Sequence, residues 1–170
     1  MAGWNRAARW LALGLCGWLV LSTPATAVAD GVEQRARTLA ERWLALLDHH
    51  TLDRAAYAPL LADSGLDLQL IEGQAQDLAQ LSALLKTRFQ GLLHSRSQIT
   101  YLRTEPQADG RLRLWMELEW QGEQDDGLPA RARLQIHWLL EAQGDGTLRI
   151  KTQREHYLAP LQGNGARIKC

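Results

Sequence analysis

The side chains best suited to chemistry lie near the end of the last predicted strand. An apolar face begins there with Leu148 and Ile150, and strict alternation continues it as Thr152, Arg154 and His156. If the sheet opens at that end, Arg154 can clamp a carboxylate with its planar guanidinium, and His156 can transfer a proton near neutral pH. Alternatively, the strand leaves the core at this point, and these polar side chains contact water.

Three residues elsewhere in the chain are candidates to stand opposite this pair. They are Tyr57, Asp67 and Tyr101. Together with Arg154 and His156 they form the candidate pocket, and no catalytic role is assigned to any single one of them.

The polar face of the same strands predicts a second surface. Trp115 and Glu117 share that face on one strand, and His137 lies on the polar face of the next. An exposed tryptophan among charged residues is typical of a protein interface, here that of a homodimer. Equally, Trp115 can lie beneath the long side chains of a neighbouring strand.

The sequence gives little evidence for a metal site, a phosphate-binding loop or a nucleic-acid interface. His49 and His50 end a predicted helix, but no third metal ligand has a recognisable spacing, and a solvated helix end explains the pair equally well. The sequence has no glycine-rich phosphate loop, no His-Glu-x-x-His motif and no serine elbow. The net charge of +0 gives no electrostatic reason to bind nucleic acid. We therefore predict no metal, no cofactor and no nucleic-acid partner.

An antiparallel sheet is predicted to position these side chains. Residues 111–121, 130–141 and 147–157 alternate apolar and polar side chains, which is typical of strands with one buried face. The segments between them are rich in the Gly, Asp and Pro that turns require. Residues 97–103 predict a further strand that precedes these three.

Helical periodicity dominates the chain before the sheet. A stripe of apolar residues that includes Trp43 predicts a helix over residues 30–48, and a shorter helix follows Asp53. Residues 66–72 predict a brief strand, and the longest helix is predicted over residues 75–95. This order indicates an α+β fold, in which two or three N-terminal helices cover a curved antiparallel sheet of about four strands.

The two ends differ from this single domain, which spans residues 30–160. Residues 1–29 combine early arginines, an apolar run and small-x-small sites, which predict a signal peptide cleaved after Ala27 or Ala29. The apolar run is shorter than the ~20 residues of a bilayer span, and a retained anchor is the alternative. We expect an exported protein, periplasmic or secreted, with no stable membrane span after cleavage. Residues 161–170 predict a flexible polar tail.

Cleavage would leave Cys170 as the single cysteine of the mature chain. An internal disulfide is then impossible. Cys170 can pair with another chain, or it has no role at the solvated terminus.

Loose hydrophobic motifs carry a family resemblance. They are residues 40–48 (AERWLALLD), 57–63 (YAPLLAD), 138–141 (WLLE) and 146–150 (GTLRI). The chain resembles the nuclear-transport-factor-2-like (cystatin-like) superfamily over most of its mature length. The resemblance implies a cone with a pocket between helices and sheet, which holds a ligand in some members and an active site in others. It also implies that many members dimerise through the outer face of the sheet.

Two catalytic sites of that superfamily do not transfer to this sequence. The ketosteroid isomerase site needs a tyrosine and two acids that converge in the cone, but Trp43 occupies the inner stripe of the first helix. Glu117 and Glu119 lie on the polar face of their strand. The scytalone dehydratase site pairs histidines with tyrosines and an acid, whereas His137 lies on the polar face.

We therefore expect a non-catalytic exported domain that binds a small apolar molecule or a partner protein. One alternative is an enzyme of the isomerase, dehydratase or cyclase type, which would use Arg154 and His156. The other alternative is a dimeric assembly subunit that associates through the face of Trp115.

Overall fold

The computed structural model describes residues 25–163, and it describes the side chains of residues 31–159. Helices and strands follow one another as α1 (Ala25–Asp48), α2 (Arg54–Tyr57), a 3-10 turn (Ala58–Leu60), β1 (Asp67–Leu70), β2 (Gly73–Ala75), α3 (Leu78–Arg88), β3 (Leu92–Pro106), β4 (Leu112–Gln124), β5 (Pro129–Ala142) and β6 (Leu148–Gly163). The α+β class predicted from the sequence is confirmed.

The strands form one curved, unclosed sheet in the order β2-β1-β6-β5-β4-β3. The four predicted strands are β3 to β6, and each pairs antiparallel with the next. The brief strand predicted at 66–72 becomes a small hairpin of β1 and β2, and β1 pairs parallel to β6. The sheet therefore has six strands, and β3 lies at one edge.

Alternation along the strands builds the core between the sheet and α1. Leu114 on β4, Ile136 on β5 and Ile150 on β6 are all buried on the inner face. Trp43 of α1 is fully buried, and its ring packs edge-on against Trp138 with the ring centroids 6.1 Å apart. The predicted packing of the first helix on the inner sheet face is therefore confirmed.

The prediction of one long helix over residues 75–95 is wrong. Asp77 caps α3 by accepting a hydrogen bond from the Gln80 backbone N–H at 2.8 Å, and the helix ends at Arg88. Gly91 then adopts a φ of 71°, which a glycine reaches without steric cost and which stops the helix. The apolar residues that follow Gly91 happen to have helical spacing in the sequence, but they lie on β3.

The termini extend the regular structure beyond the predicted domain limits. Helix α1 already includes Ala25, before the predicted start at Asp30, and β6 continues to Gly163. Most of the predicted signal peptide and most of the predicted tail, including Cys170, lie outside the described residues. Cleavage and an exported location stay predictions. Among residues 25–163, no helix combines the length and the apolarity needed to cross a bilayer.

A β-bulge in β6 changes which side chains face the core. Leu140 of β5 pairs with Ile150, but the preceding Leu139 pairs with Thr152, so Lys151 is an extra residue. Because one inserted residue reverses the alternation, the side chains after it exchange faces.

This exchange corrects the assignment made for the end of the strand. Gln153 and Glu155 are buried on the inner face, at 0% and 7% exposure. Arg154 and His156 pair with His137 and Gln135 on the outer face. The prediction that Arg154 and His156 line the pocket mouth is therefore wrong.

Candidate functional site

A cavity of about 450 Å³ lies between the helices and the inner face of the sheet. Leu47 of α1 and Phe89 after α3 form one apolar wall, and Leu118, Trp120 and Ile136 of the sheet form the other. This volume lies within the ~300–1,000 Å³ typical of small-molecule sites, which are also mostly apolar.

An ionic cluster interrupts the apolar lining of the cavity. Arg88, the last residue of α3, donates from Nε and Nη2 to the two carboxylate oxygens of Glu72, at 2.9 and 2.6 Å. The same Nη2 donates to Oε2 of Glu155 at 2.7 Å. Glu72 lies in the turn between β1 and β2, and Glu155 lies on β6, so the cluster joins three elements.

The cluster is largely withdrawn from water. The side chain of Glu155 is 2% exposed, and those of Arg88 and Glu72 are 16% and 17% exposed. Burial alone would lower the pKa of Arg88, but the charges and hydrogen bonds of Glu155 and Glu72 reverse this effect and raise the pKa above its ordinary value. Arg88 therefore stays a cation.

Glu155 is the member of the cluster best placed to accept a proton. Glu72 occupies both carboxylate oxygens with Arg88, whereas Glu155 receives Arg88 on Oε2 alone. Among residues 31–159 no side chain or backbone group makes a hydrogen bond to Oε1 of Glu155. Glu155 is therefore the carboxylate of the cluster with an oxygen left for a bound molecule.

Tyr157 places a hydroxyl-bearing ring beside the ionic cluster. It follows Glu155 on the same strand face and lines the cavity. Burial raises the pKa of Tyr157 above its ordinary value, and the charge of Glu72 raises it further. The phenol therefore stays protonated and can donate a hydrogen bond to a bound molecule.

A second polar cluster lies where the end of α1 meets β3. Asp48 accepts hydrogen bonds from the Ser97 backbone N–H at 2.7 Å and from the Ser97 hydroxyl at 2.9 Å. Ser95 lies 3.4 Å from Asp48 and 3.1 Å from Nε2 of His50. Both serines line the cavity. This cluster was not predicted.

None of the five predicted pocket residues lines the cavity. Tyr57 is buried in the core, where its hydroxyl donates to the Thr51 carbonyl at 3.0 Å, and Tyr101 is 48% exposed on the edge strand. Asp67 and Arg154 do contact one another, as an ion pair at the β1–β6 junction.

His156 lies with the predicted interface residues on the outer face. Its ring centroid is 5.9 Å from that of His137, which is 6.3 Å from that of Trp115. The guanidinium groups of Arg103 and Arg113 lie over the Trp115 ring at 5.9 and 5.5 Å. Trp115 therefore lies beneath the long side chains of its neighbours, which is the second of the two positions that the sequence allowed for it.

Glu117 completes the outer surface through a 3.5 Å contact with Arg133. Assembly of a homodimer through this face stays a prediction.

Within the described residues, no group of three His, Cys, Asp or Glu side chains is arranged as a metal site.

One feature of the sequence could have identified part of the ionic cluster, namely the position of Arg88. Arg88 follows Leu78, Leu81 and Leu85 at spacings of three and four residues, which places it on the buried stripe of α3. An arginine on an apolar stripe needs a buried anion as its partner. No comparable signal identified Glu155, because the bulge that turns it inward has no mark in the sequence.

The sequence matches no protein-family model and no curated protein. Solved structures do resemble it. An NTF2-like superfamily protein from Salmonella enterica serovar Typhimurium aligns with a TM-score of 0.67 and 12% identity, over 82% of this chain and 97% of that chain.

Two similar structures carry the names of enzymes. A protein from Novosphingobium aromaticivorans assigned as a scytalone dehydratase has a TM-score of 0.68 and 10% identity, over 83% of this chain and 93% of that chain. A type 2 hexachlorocyclohexane dehydrochlorinase has a TM-score of 0.65 and 12% identity, over 81% of this chain and 94% of that chain.

These neighbours contradict the expectation of a non-catalytic domain, because several of the similar structures carry the names of enzymes. At these identities the likeness establishes the architecture, which is the one that the sequence motifs indicated. The chain has the nuclear-transport-factor-2-like fold.

Proposed function

We propose that the protein is an enzyme that moves a proton on a small apolar molecule, in a reaction of the isomerase, dehydratase or cyclase type. Glu155 is the general base, and the observation that carries the proposal is its position. It is a buried carboxylate that lines the cavity, and none of the described residues donates a hydrogen bond to its Oε1. The enzymes among the similar structures support the same class of function.

The surroundings of Glu155 suit the transfer of a proton from carbon. The Glu155 side chain is 2% exposed, so its carboxylate meets a bound molecule rather than bulk water. Arg88 fixes the orientation of the carboxylate through Oε2 and leaves Oε1 for the substrate. The Tyr157 hydroxyl is the candidate donor to the oxygen on which negative charge develops.

The substrate needs an acidic C–H bond next to a carbonyl group and an apolar body. Phe89 and Trp120 supply flat surfaces against which rings pack, and Leu47 and Ile136 add aliphatic contacts. The proposal therefore points to a neutral ring ketone or a related cyclic compound.

A test uses 2-tetralone, a neutral bicyclic ketone whose α-hydrogens exchange with solvent. In D2O the wild-type protein should accelerate the loss of the α-proton signal, followed by NMR. Glu155→Gln should lower this rate about 10²–10⁴-fold, the usual contribution of a general base. Tyr157→Phe should lower it about 10²–10³-fold, as the loss of an oxyanion donor does.

The matched control is Glu141→Gln, since Glu141 is a carboxylate on β5 that pairs with Lys151 outside the cavity. This variant should exchange 2-tetralone at the wild-type rate. If Glu155→Gln also keeps the wild-type rate, the assignment of the base is wrong.

A further inference from the structure

We infer that Ser95 is a nucleophile activated by His50, and that the cavity accepts carboxylic esters with an apolar acyl group. This acyl-transfer activity is separate from proton transfer at Glu155. It rests on Asp48, His50 and Ser95 of the second polar cluster, which the proposed function does not use.

The geometry joins a nucleophile to a base at the wall of the cavity. The Ser95 hydroxyl lies 3.1 Å from Nε2 of His50, within the reach that proton transfer needs, and 3.4 Å from Asp48. The shorter contact is the one with His50. Ser95 lines the cavity, so a molecule bound there meets its hydroxyl.

His50 is held in place by its backbone and by its ring. Its φ of 49° lies in the left-handed region, as at many helix ends. The His50 N–H donates to the Leu47 carbonyl and the Thr51 N–H to the Leu46 carbonyl, both at 3.0 Å, which fixes His50 at the end of α1. The imidazole stacks on Phe89, with centroids 4.8 Å apart and planes 24° apart. Phe89 also lines the cavity, so one aromatic side chain positions the base and contacts the ligand.

The charges around His50 suit a base. Burial lowers its pKa below 6.5, the neighbouring His94 and His49 lower it further, and the Asp48 carboxylate opposes them. The imidazole is therefore neutral at pH 7 and can accept the Ser95 proton. When it does so, the nearby Asp48 carboxylate stabilises the imidazolium that forms.

The step balances without a co-reactant other than water. The Ser95 oxygen bonds to the ester carbonyl carbon, and its proton passes to Nε2 of His50. The bond between the carbonyl carbon and the alcohol or phenol oxygen then breaks, and His50 returns the proton to that oxygen. Water attacks the acylated serine and gives a proton to His50, which passes it to the Ser95 oxygen as the acid is released. Because Ser95 and His50 act in the first step, the formation of acylated Ser95 is the direct test of the inference.

The probe is 4-nitrophenyl butyrate, incubated with the wild-type protein at neutral pH. Release of 4-nitrophenolate follows the reaction, and mass spectrometry of proteolytic peptides locates the butyryl group. Ser97 is an internal control, because it lines the same cavity and contacts Asp48 but makes no hydrogen bond to His50. The butyryl group should appear on Ser95 and be absent from Ser97.

His50→Asn removes the base and keeps a residue that tolerates the left-handed backbone. It should lower the acylation rate about 10²–10⁴-fold, while circular dichroism shows an unchanged fold. Acylation at the wild-type rate in this variant, equal labelling of Ser97, or no adduct on Ser95 would each overturn the inference. Exchange of 2-tetralone, measured on the same samples, shows separately whether the proposed function fails.

Discussion

Arg88 is the residue on which the candidate site depends most. It holds Glu72 with two hydrogen bonds and Glu155 with one, and all three side chains are shielded from water. Removing one member of a buried ionic cluster leaves the others without compensation, whereas an ion pair on the surface contributes little.

Replacement of Arg88 by methionine should therefore be strongly destabilising. Because Glu72 and Glu155 lose their cation while remaining buried, we expect the free energy of unfolding to fall by about 3–5 kcal/mol. Lys151→Met, which removes the more exposed pair with Glu141, should cost less than about 1 kcal/mol. Urea denaturation measures both. Equal losses for the two variants would mean that the cluster is not the buried ionic site described above.

Two histidines make stability depend on pH. Burial lowers the pKa values of His50 and His137 below 6.5, and the charges of His156 and Arg113 lower that of His137 further. Below pH 6.5 the unfolded chain binds protons that these folded histidines resist, so acidification favours unfolding. The free energy of unfolding should fall between about pH 7 and pH 5, and His137→Gln should make that fall smaller. Denaturation at several pH values tests this, and an unchanged slope in the variant would contradict it.

Among the elements, α3 and the start of β3 show most clearly where sequence periodicity fails. Leu85 and Leu93 both fit one apolar helical stripe, but only Leu85 is on the helix and buried. Leu93 follows the Gly91 turn and is 51% exposed. The spacing of apolar residues alone cannot show where a helix has already ended, and Gly91 is the residue that marks the end.

This boundary can be tested with two truncations of the same residue type. Leu85→Ala should cost about 2–5 kcal/mol of unfolding free energy, because it opens a cavity in the core. Leu93→Ala should change the stability by less than about 0.5 kcal/mol, as exposed substitutions do. A large loss for Leu93→Ala in chemical denaturation would instead favour the long helix.

The bulge in β6 explains why the fold was predictable and the site was not. Alternation along residues 111–121 and 130–141 correctly identified the inner face of β4 and β5, since no irregularity interrupts their pairing. The extra Lys151 reverses the faces of β6, so the same reasoning wrongly placed Arg154 and His156 on the inner face. A β-bulge depends on pairing with the neighbouring strand, and that pairing is not visible in a single sequence.

At the scale of the whole molecule, the cavity is acidic although the full chain has a net charge of +0. Among the described residues, the charged side chains that line it are Glu72, Arg88, Asp125 and Glu155. Three carboxylates and one guanidinium in a partly enclosed space create a negative potential, which repels anions more strongly than it would on an open surface.

This potential should select ligands by charge. Three naphthalene probes share one apolar body: 2-naphthylmethanol, 2-naphthylmethylamine and 2-naphthoate. We expect 2-naphthoate to bind at least about tenfold more weakly than the alcohol, and the amine to bind at least as tightly as the alcohol. Asp125→Asn should reduce the discrimination against 2-naphthoate. Calorimetric titration measures the affinities, and a preference for 2-naphthoate would contradict the account of the cavity.

The measurement that tests the central claim most directly is the base-catalysed ring opening of 5-nitrobenzisoxazole. A base removes one C–H proton as the N–O bond breaks, and the coloured phenolate that forms reports on the base itself. The wild-type protein should catalyse the reaction, with kcat/KM about 10²–10⁴-fold lower in Glu155→Gln and unchanged in Glu141→Gln. Equal activity in the wild-type and Glu155→Gln proteins would contradict the claim that Glu155 is a general base in this cavity.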